Sequence, residues 1–547
     1  MSLTARELID SGVEVELLDS GMVLDLERQA RRAGADPLGA VTRHYRIPVV
    51  ALYRAAAEAR GLRFVDAAEV KPDPELLRRV PAQLLRRGQL LPIARENGGV
   101  LVATTNPEDR ASQTALSRIL DGELILAMTD PESLTGAIER ALADLGRSLP
   151  AEPAAVDPVG LLDRFMAEAF LRRASDIHLE PLPAGLRVRL RVDGQLQEHA
   201  VRLSNEQGQA LISRVKVLSG LDIAEQRAPQ DGGFTYRDGD QHDVDVRVAT
   251  VPTRFGERAT LRLLGAASEI LSLAELGLSP ADVERFGRVI RSPHGMILLT
   301  GPTGSGKSTT LYAALAEISD PTRNIMTVED PIEHPVAGVA QVQVGGGKVT
   351  FASALRSLLR HDPDVMMVGE IRDRETADIA LRAAMTGHLL FSTLHTNDAV
   401  SAVTRLRDLG CEPYLISSTL LLSIAQRLVM RLCERCKRPR AATALERTLL
   451  CVPPEGDAPT LFEPTGCAAC LGRGYRGRIG VFEWFWMEDD LAHLVAHGAE
   501  EPELRAAAGS RLRTLAKDGR RKVLAGWTSL SELTRVARLE PAGERKR

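Results

Sequence analysis

No window of this 547-residue chain approaches the ~18 consecutive apolar residues that a membrane-spanning helix needs. Its apolar runs are short, as at residues 296–299 and 365–368. The first ten residues, MSLTARELID, hold no apolar signal core. These two absences predict a chain that stays in the cytoplasm, where thiols are kept reduced. Excess charge is lacking too: 69 Lys+Arg stand against 73 Asp+Glu, a net of -4. Such a balance argues against a general nucleic-acid coat. Lysine is scarce, 8 of the 69 cations, leaving 69 − 8 = 61 arginines; no function is read from that skew. Solenoid repeats and low-complexity tracts are missing. Cysteine is sparse at six residues, and in a reducing compartment these read as metal ligands or free thiols rather than disulfides.

What is present is material for cores. With 44% hydrophobic and 26% charged residues the composition is that of a globular protein, and a mostly disordered chain is excluded. The length suggests about three or four domains. Residues 1–150 read as small helical and α/β units. Residues 41–60 have helical periodicity with an Ala-rich face. Residues 90–94 and 100–103 read as a hairpin around the turn signal Glu96-Asn97-Gly98-Gly99. Three prolines and several small residues between 146 and 158 mark a linker. From 151 to 268 helix and strand mix in a second, α+β domain. Residues 186–192 and 243–251 alternate like half-buried strands, and Asp193-Gly194 turns the chain. From 269 to 547 short apolar strands at 296–300, 325–328, 365–368 and 389–394 alternate with helices, which predicts a mainly parallel, helix-covered sheet. The stretch after Cys433 reads as looser, and the tail from Leu491 as helical with a fraying end at 543–547.

The strongest motif is Gly301-Pro302-Thr303-Gly304-Ser305-Gly306-Lys307-Ser308, followed by Thr309. It fits G-x-x-x-x-G-K-[ST], with an apolar strand before it and a helical run after it. Glycines let backbone N–H groups turn inward onto phosphate oxygens, and the helix N-terminus adds partial positive charge. Lys307 can reach the β- and γ-phosphates, and the Ser308 hydroxyl can ligate Mg²⁺. A glycine-rich turn with a chance Lys-Ser is the competing reading, and the strand–loop–helix context disfavours it. Hydrolysis further needs a positioned water, a metal and positive charge. Three later segments supply candidates. Residues 327–334 bring Glu329, Asp330 and Glu333; residues 362–370 end an apolar strand on Glu370; residues 387–398 bracket a strand with His388 and His395. Acidic residues at strand ends beside a phosphate loop are placed to hold Mg²⁺ and orient water. Solvated strand-end charges and two structural histidines are the alternative for any one segment; three in one domain favour the site.

Cys433-x2-Cys436 and Cys467-x2-Cys470 stand thirty residues apart. Two such knuckles can close a tetrahedral thiolate shell around Zn²⁺, and four thiolates leave no open position, so a structural ion is expected. Reduced buried thiols or a redox pair are the alternatives. The flanking basic residues are read as a docking surface or fold support rather than a nucleic-acid finger. Cys411 and Cys451 read as structural.

Taken together, these segments resemble the secretion ATPase superfamily that powers type II secretion and type IV pilus machines. Residues 359–373 look like its signature run, 329–333 like its aspartate box and 388–398 like its histidine box. The likeness extends to Ala174-Ser-Asp-Ile-His-Leu-Glu-Pro181, to Pro229-Gln-Asp-Gly232, to Gly256-Glu-Arg258 and to the segment 518–532. The resemblance implies a RecA-like P-loop ATPase core, a preceding α+β (PAS-like) domain, an N-terminal helical/α+β docking module and a zinc-binding tetracysteine insert. It implies Glu333 as general base, Glu370 working with Ser308 around Mg²⁺, and His395 with His388 facing the γ-phosphate. Arg247 and Arg258 would bring positive charge to bound ATP. Gly369 stands where most P-loop ATPases carry an aspartate, which leaves open which carboxylate is nearest Mg²⁺. Gly233 stands where many members carry arginine, and Arg237 is the nearby substitute. The expected assembly is a hexamer at the cytoplasmic face of the inner membrane, driving a platform protein with a membrane-anchored linker protein. Residues 221–225, 256–258 and 261–264 lean to type II secretion over pilus extension. A nucleotide-binding regulator or a nucleic-acid translocating ATPase is the remaining alternative, and no nucleic-acid partner is expected. A clean cyclic di-GMP motif is not evident in residues 32–60.

Overall fold

The computed structural model describes residues 3–32, 36–145, 157–237, 243–264, 270–345, 349–453 and 455–539. The linker expected at 146–158 and the fraying end at 543–547 lie largely or wholly outside them. The chain forms two compact units: residues 1–267 together with 433–437 and 464–475, and the remainder.

In the first unit, the single helix expected over 41–60 is two, Pro37–Tyr45 and Val49–Ala59. Arg46 ends the former in the left-handed region (φ 49°), and Pro48 is extended at ψ 156° ahead of the latter. Proline disfavours helical backbone at the residue before it, so the periodicity runs on while the helix cannot. With Ala5–Glu14, whose Thr4 and Glu7 form a capping box, these helices close around Leu8, Ile9, Val41 and Leu52.

A four-stranded sheet follows, in the order β1-β4-β3-β2, from β1 Arg63–Phe64, β2 Leu90–Glu96, β3 Gly99–Thr104 and β4 Leu124–Met128. The expected β2/β3 hairpin is present, turned by Asn97 and Gly98 at positive φ. A six-stranded antiparallel sheet in the order β7-β6-β5-β10-β9-β8 is built from β5 Ala174–Leu182, β6 Gly185–Val192, β7 Gln195–Leu203, β8 Gln230–Arg237, β9 Asp243–Thr253 and β10 Gly256–Leu264. Alternation along β9 puts Val246 and Val248 against Phe165 and Val215 of two covering helices. Gly233 sits on β8 where an added Cβ would come within 2.9 Å of the Val246 carbonyl oxygen of β9. Arg237 pairs with Asp243.

The second unit is a seven-stranded sheet in the order β13-β12-β14-β15-β11-β16-β19. Its strands are β11 Gly295–Thr300, β12 Ile325–Glu329, β13 Val339–Gln343, β14 Val365–Val368, β15 Leu389–Leu394, β16 Leu420–Leu432 and β19 Tyr475–Trp486. A separate small pair, β17 Arg438–Ala441 and β18 Thr460–Glu463, comes between β16 and β19 along the chain. β11 pairs in parallel with β15 and β16, β12 with β13 and β14, and β14 with β15, as expected. Met296 and Leu298 enter one core and Ile297 and Leu299 the other, so β11 is buried on both faces. The region after Cys433 is more ordered than its sequence reads: Trp484 and Phe485 of β19 are buried. Arg476, Gly477 and Arg478 at its start mask the strand signal.

Glu168, on helix Pro158–Leu171, accepts a 2.7 Å hydrogen bond from His199 and pairs with Arg172 at 2.5 Å. Burial opposes its charge, but His199 and Arg172 hold its carboxyl down to about 2. A carboxyl held below its unfolded value stabilises the fold fully above that value and loses its contribution as pH falls through the folded one. Acid unfolding followed by circular dichroism is therefore expected to steepen from about pH 4.5 toward pH 2 in the native chain, and Glu168→Gln to remove that component.

Candidate nucleotide-binding site

β11 delivers the chain into the loop 301–306, and the helix Lys307–Ile318 leaves it. Gly301, Gly304 and Gly306 all have positive φ. A Cβ at Gly301 would lie 2.6 Å from the Gln426 carbonyl oxygen, and one at Gly306 2.8 Å from the Gln426 side-chain amide, so both positions require glycine. The helix has no side-chain N-cap, which leaves its first N–H groups available to an anion. Lys307 is buried and donates to the carbonyls of Gly301 at 2.8 Å and Pro302 at 3.2 Å, which holds its charge over the loop. Burial pushes its ammonium below the ordinary value, Glu370 and Glu333 resist, and Arg427 adds to the lowering. Pro302, Thr303, Gly304 and Thr309 are exposed and Ser308 is half-buried; the Ser305 hydroxyl is buried without a hydrogen-bond partner.

The parallel strands release their acidic and polar residues at the same carboxyl edge, the usual crevice of an open α/β sheet. β12 ends on Glu329, β14 leads through Gly369 to Glu370, and β15 leads to His395. Glu329 is buried and fully engaged: Tyr312 donates to it, Thr327 does so at 2.6 Å and Gln341 at 2.9 Å. The Tyr312 oxygen also accepts the Glu333 backbone N–H at 3.1 Å. Burial and then the Glu329 contact push the Tyr312 hydroxyl well above its ordinary pKa, so it stays a donor. Glu329 thus anchors the loop that presents Asp330 and Glu333, both exposed. Glu370 pairs with Arg372 and lies 3.2 Å from the His395 ring nitrogen. Burial works against its charge, but Arg372 and His395 hold its carboxyl below the usual range. Gly369 packs close to the neighbouring strand: a Cβ there would meet the Val328 carbonyl at 3.3 Å.

Not every expected residue gathers here. His388 precedes β15, its Nδ1 3.0 Å from the Ala383 carbonyl and its own carbonyl bound by Gly295 at the start of β11. The six residues of β15, at about 3.3 Å each, separate it from the phosphate loop by about 20 Å. Arg247 and Arg258 belong to the other unit; Arg247 is exposed on β9, and Arg258 on β10 pairs with Glu180 at 3.1 Å. Conversely, Tyr312, Gln426 and Arg427 were not anticipated. Buried Gln426 accepts from Thr310 at 2.8 Å and donates to the Gly306 carbonyl at 3.2 Å, while Arg427 donates to the Asn397 carbonyl at 2.8 Å. The available signal was an amide and a guanidinium in the middle of the apolar run Leu420–Leu432.

The four knuckle cysteines come together within the first unit. Sγ–Sγ separations are 3.9 Å for Cys433–Cys467, 3.8 Å for Cys436–Cys470 and 3.9 Å for Cys467–Cys470. Zn–S bonds of about 2.3 Å in a tetrahedron put sulfurs about 3.8 Å apart, so the donor set fits zinc. Backbone N–H groups of Gly466, Cys467 and Gly474 donate to these sulfurs at 3.3, 3.2 and 3.1 Å, the stabilisation that thiolates need. Cys411 is buried and Cys451 exposed, both outside the cluster.

A family model described as "Type II/IV secretion system protein" matches residues 155–535, and an "MshEN domain" model matches 60–148. The chain belongs to the type II/IV secretion system protein family. It is 46% identical to type II secretion system protein E of Pseudomonas aeruginosa over 440 residues, 79% of this chain and 86% of that one. It is 40% identical to the type IV pilus assembly ATPase PilB of Thermus thermophilus over 509 residues, 88% of this chain and 57% of that one. The X-ray structure of the Legionella pneumophila ATPase DotB has the same fold, with TM-score 0.53 and 23% identity over 71% of this chain and 97% of that one. This secretion ATPase has, among the described residues, no helix long and apolar enough to cross a membrane.

Removing one donor from the buried Glu329 carboxylate costs about 1–3 kcal/mol. Tyr312→Phe is therefore expected to lower the urea midpoint of the second unit by a stability loss of that size, and an unchanged midpoint would show that Glu329 does not depend on Tyr312.

Proposed function

We propose that this secretion ATPase is a cytoplasmic hexameric motor whose ATP turnover drives pseudopilus assembly in type II secretion. The 46% identity to a protein E over 79% of the chain carries the reading. The partners proposed are an inner-membrane platform protein and a membrane-anchored linker protein. Residues 301–309, with Lys307 at the β- and γ-phosphates, take ATP. Ser308 and Glu370 are the residues that would hold Mg²⁺, which supplies charge neutralisation on the phosphates when bound. Glu333 accepts the proton of the attacking water, and its exposed carboxylate near Lys307 is free to do so. His395, beside Glu370, contacts the γ-phosphate. Glu329 and Asp330 frame the loop that carries the base. Arg247 and Arg258, on β9 and β10 of the first unit, are the residues proposed to bring positive charge to ATP. His388 is left out of the reaction for its distance. Cys433, Cys436, Cys467 and Cys470 hold a structural zinc ion, supported by their sulfur separations.

One observation favours a second reading, pilus extension: the match to the pilus assembly ATPase takes in 88% of this chain, against 79% for protein E. Affinity capture from solubilised host membranes separates them. A platform protein recovered with a bitopic secretion-type linker is expected; a platform with an actin-like cytoplasmic pilus protein would assign the motor to pilus extension.

For the chemistry, Lys307→Ala is expected to abolish phosphate release. Glu333→Gln is expected to keep ATP binding, measured with a fluorescent nucleotide, while lowering kcat by about 10²–10⁴-fold, the span of a general base. Undiminished turnover in both would refute the assignment.

A further inference from the structure

The tetracysteine cluster does more in this fold than close a loop. Its second knuckle, Cys467–Cys470 with the short helical turn Ala468–Cys470, packs on helix Val49–Ala59 of the N-terminal helical module. Leu471 follows in the left-handed region at φ 53°, an unfavourable conformation for leucine, and packs against the core of that module, which includes Leu8 and Leu52. Arg54, from the same helix, lies with its guanidinium 4.1 Å above the Phe64 ring and against Gly472, where any Cβ would collide with it. Its buried Nε has no hydrogen-bond partner. The negative groups facing it are Asp66, Cys470, Asp130 and Glu69. From the first knuckle, Arg435 donates to the Val15 carbonyl at the end of helix Ala5–Glu14. Both knuckles therefore contact the same helical module, one at Val15 and the other on helix Val49–Ala59.

A zinc ion with four thiolates carries a net charge of 2 − 4 = −2. A guanidinium held in a half-buried place beside that charge is favoured when the cluster is loaded. When the cluster opens, it is left desolvated without its counter-charge. Cys433 also directly follows β16, the strand of Gln426 and Arg427, and Tyr475 directly begins β19. The grip is thus joined by the chain itself to the strand that holds the phosphate loop.

We propose that the loaded tetrathiolate cluster is a latch for the N-terminal helical module, with Arg54 as its charge partner and Leu471 as its apolar bolt. This rests on the zinc reading given above. It assigns the module's docking to metal occupancy, so helices Ala5–Glu14 and Val49–Ala59 are tethered in the zinc-loaded chain and released in the zinc-free one.

Hydrogen–deuterium exchange on the full chain tests it, with zinc content measured by metal analysis on the same samples. Helices Ala5–Glu14 and Val49–Ala59 are expected to exchange at least ten-fold faster after chelation, while β11 exchanges unchanged. Arg54→Ala and Leu471→Ala are expected to keep one zinc per chain and still speed exchange in both helices; Arg54→Lys, which keeps the charge but not the planar fork, falls between. Equal exchange in loaded, stripped and Arg54→Ala chains would overturn the latch while leaving the zinc site intact. A purified chain that takes up no added zinc would overturn the zinc reading, and the latch with it.

Discussion

The two-sided burial of β11 is the constraint on which the nucleotide site depends. Its four central residues alternate between two apolar cores, so the strand can neither slip by one residue nor tilt without exposing one set of them. That fixes where the loop 301–306 begins. It also fixes the register against β15 and β16, with Thr300 opposite Leu394 on one side and Ala425 on the other. The residues just beyond those partners, His395 and Gln426, are therefore delivered to the loop by pairing alone. The charged groups of the site are passengers on an apolar framework that has already chosen their positions.

Around that framework the polar contacts divide into two kinds. Glu329 and Gln426 are buried and satisfied by named partners, so they hold backbone in place: the one steadies the loop of Glu333 through Tyr312, the other grips Gly306 and Thr310. Glu333 and Asp330 are exposed and remain open to water. A buried carboxylate with three donors is a poor base, because its lone pairs are occupied; an exposed one beside a lysine is a workable base. The same acidic run in sequence thus supplies an anchor and a reactive group, and burial decides which is which.

The two units use their cations differently. In the nucleotide unit, Lys307 is held over its own loop by carbonyls, and Arg372 answers Glu370. In the other unit, several arginines on the six-stranded sheet are tied to carboxylates, as Arg187 and Arg189 are to Glu180. Arg54, on helix Val49–Ala59, is instead a guanidinium packed on an aromatic ring and a glycine beside the cysteine cluster.

By itself the sequence determined four strands of the parallel sheet, β11, β12, β14 and β15, together with the phosphate loop, the cysteine knuckles and the β2/β3 hairpin; β13 and β16 it did not. Each is written in local terms: apolar runs bounded by breakers, glycines at fixed spacing, paired thiols, and a turn dipeptide between alternating segments. The break between Tyr45 and Val49 was also local, in Pro48, but the apolar period runs across it and conceals it. What only the tertiary structure decided was partnership. That Tyr312 caps Glu329, that Gln426 meets the loop 120 residues earlier in sequence, and that His388 ends at the far edge of the sheet from His395 all follow from strand order and register. The reason is physical: these relations arise between elements distant in the chain, and no periodicity within either element encodes which edge of the sheet it will face.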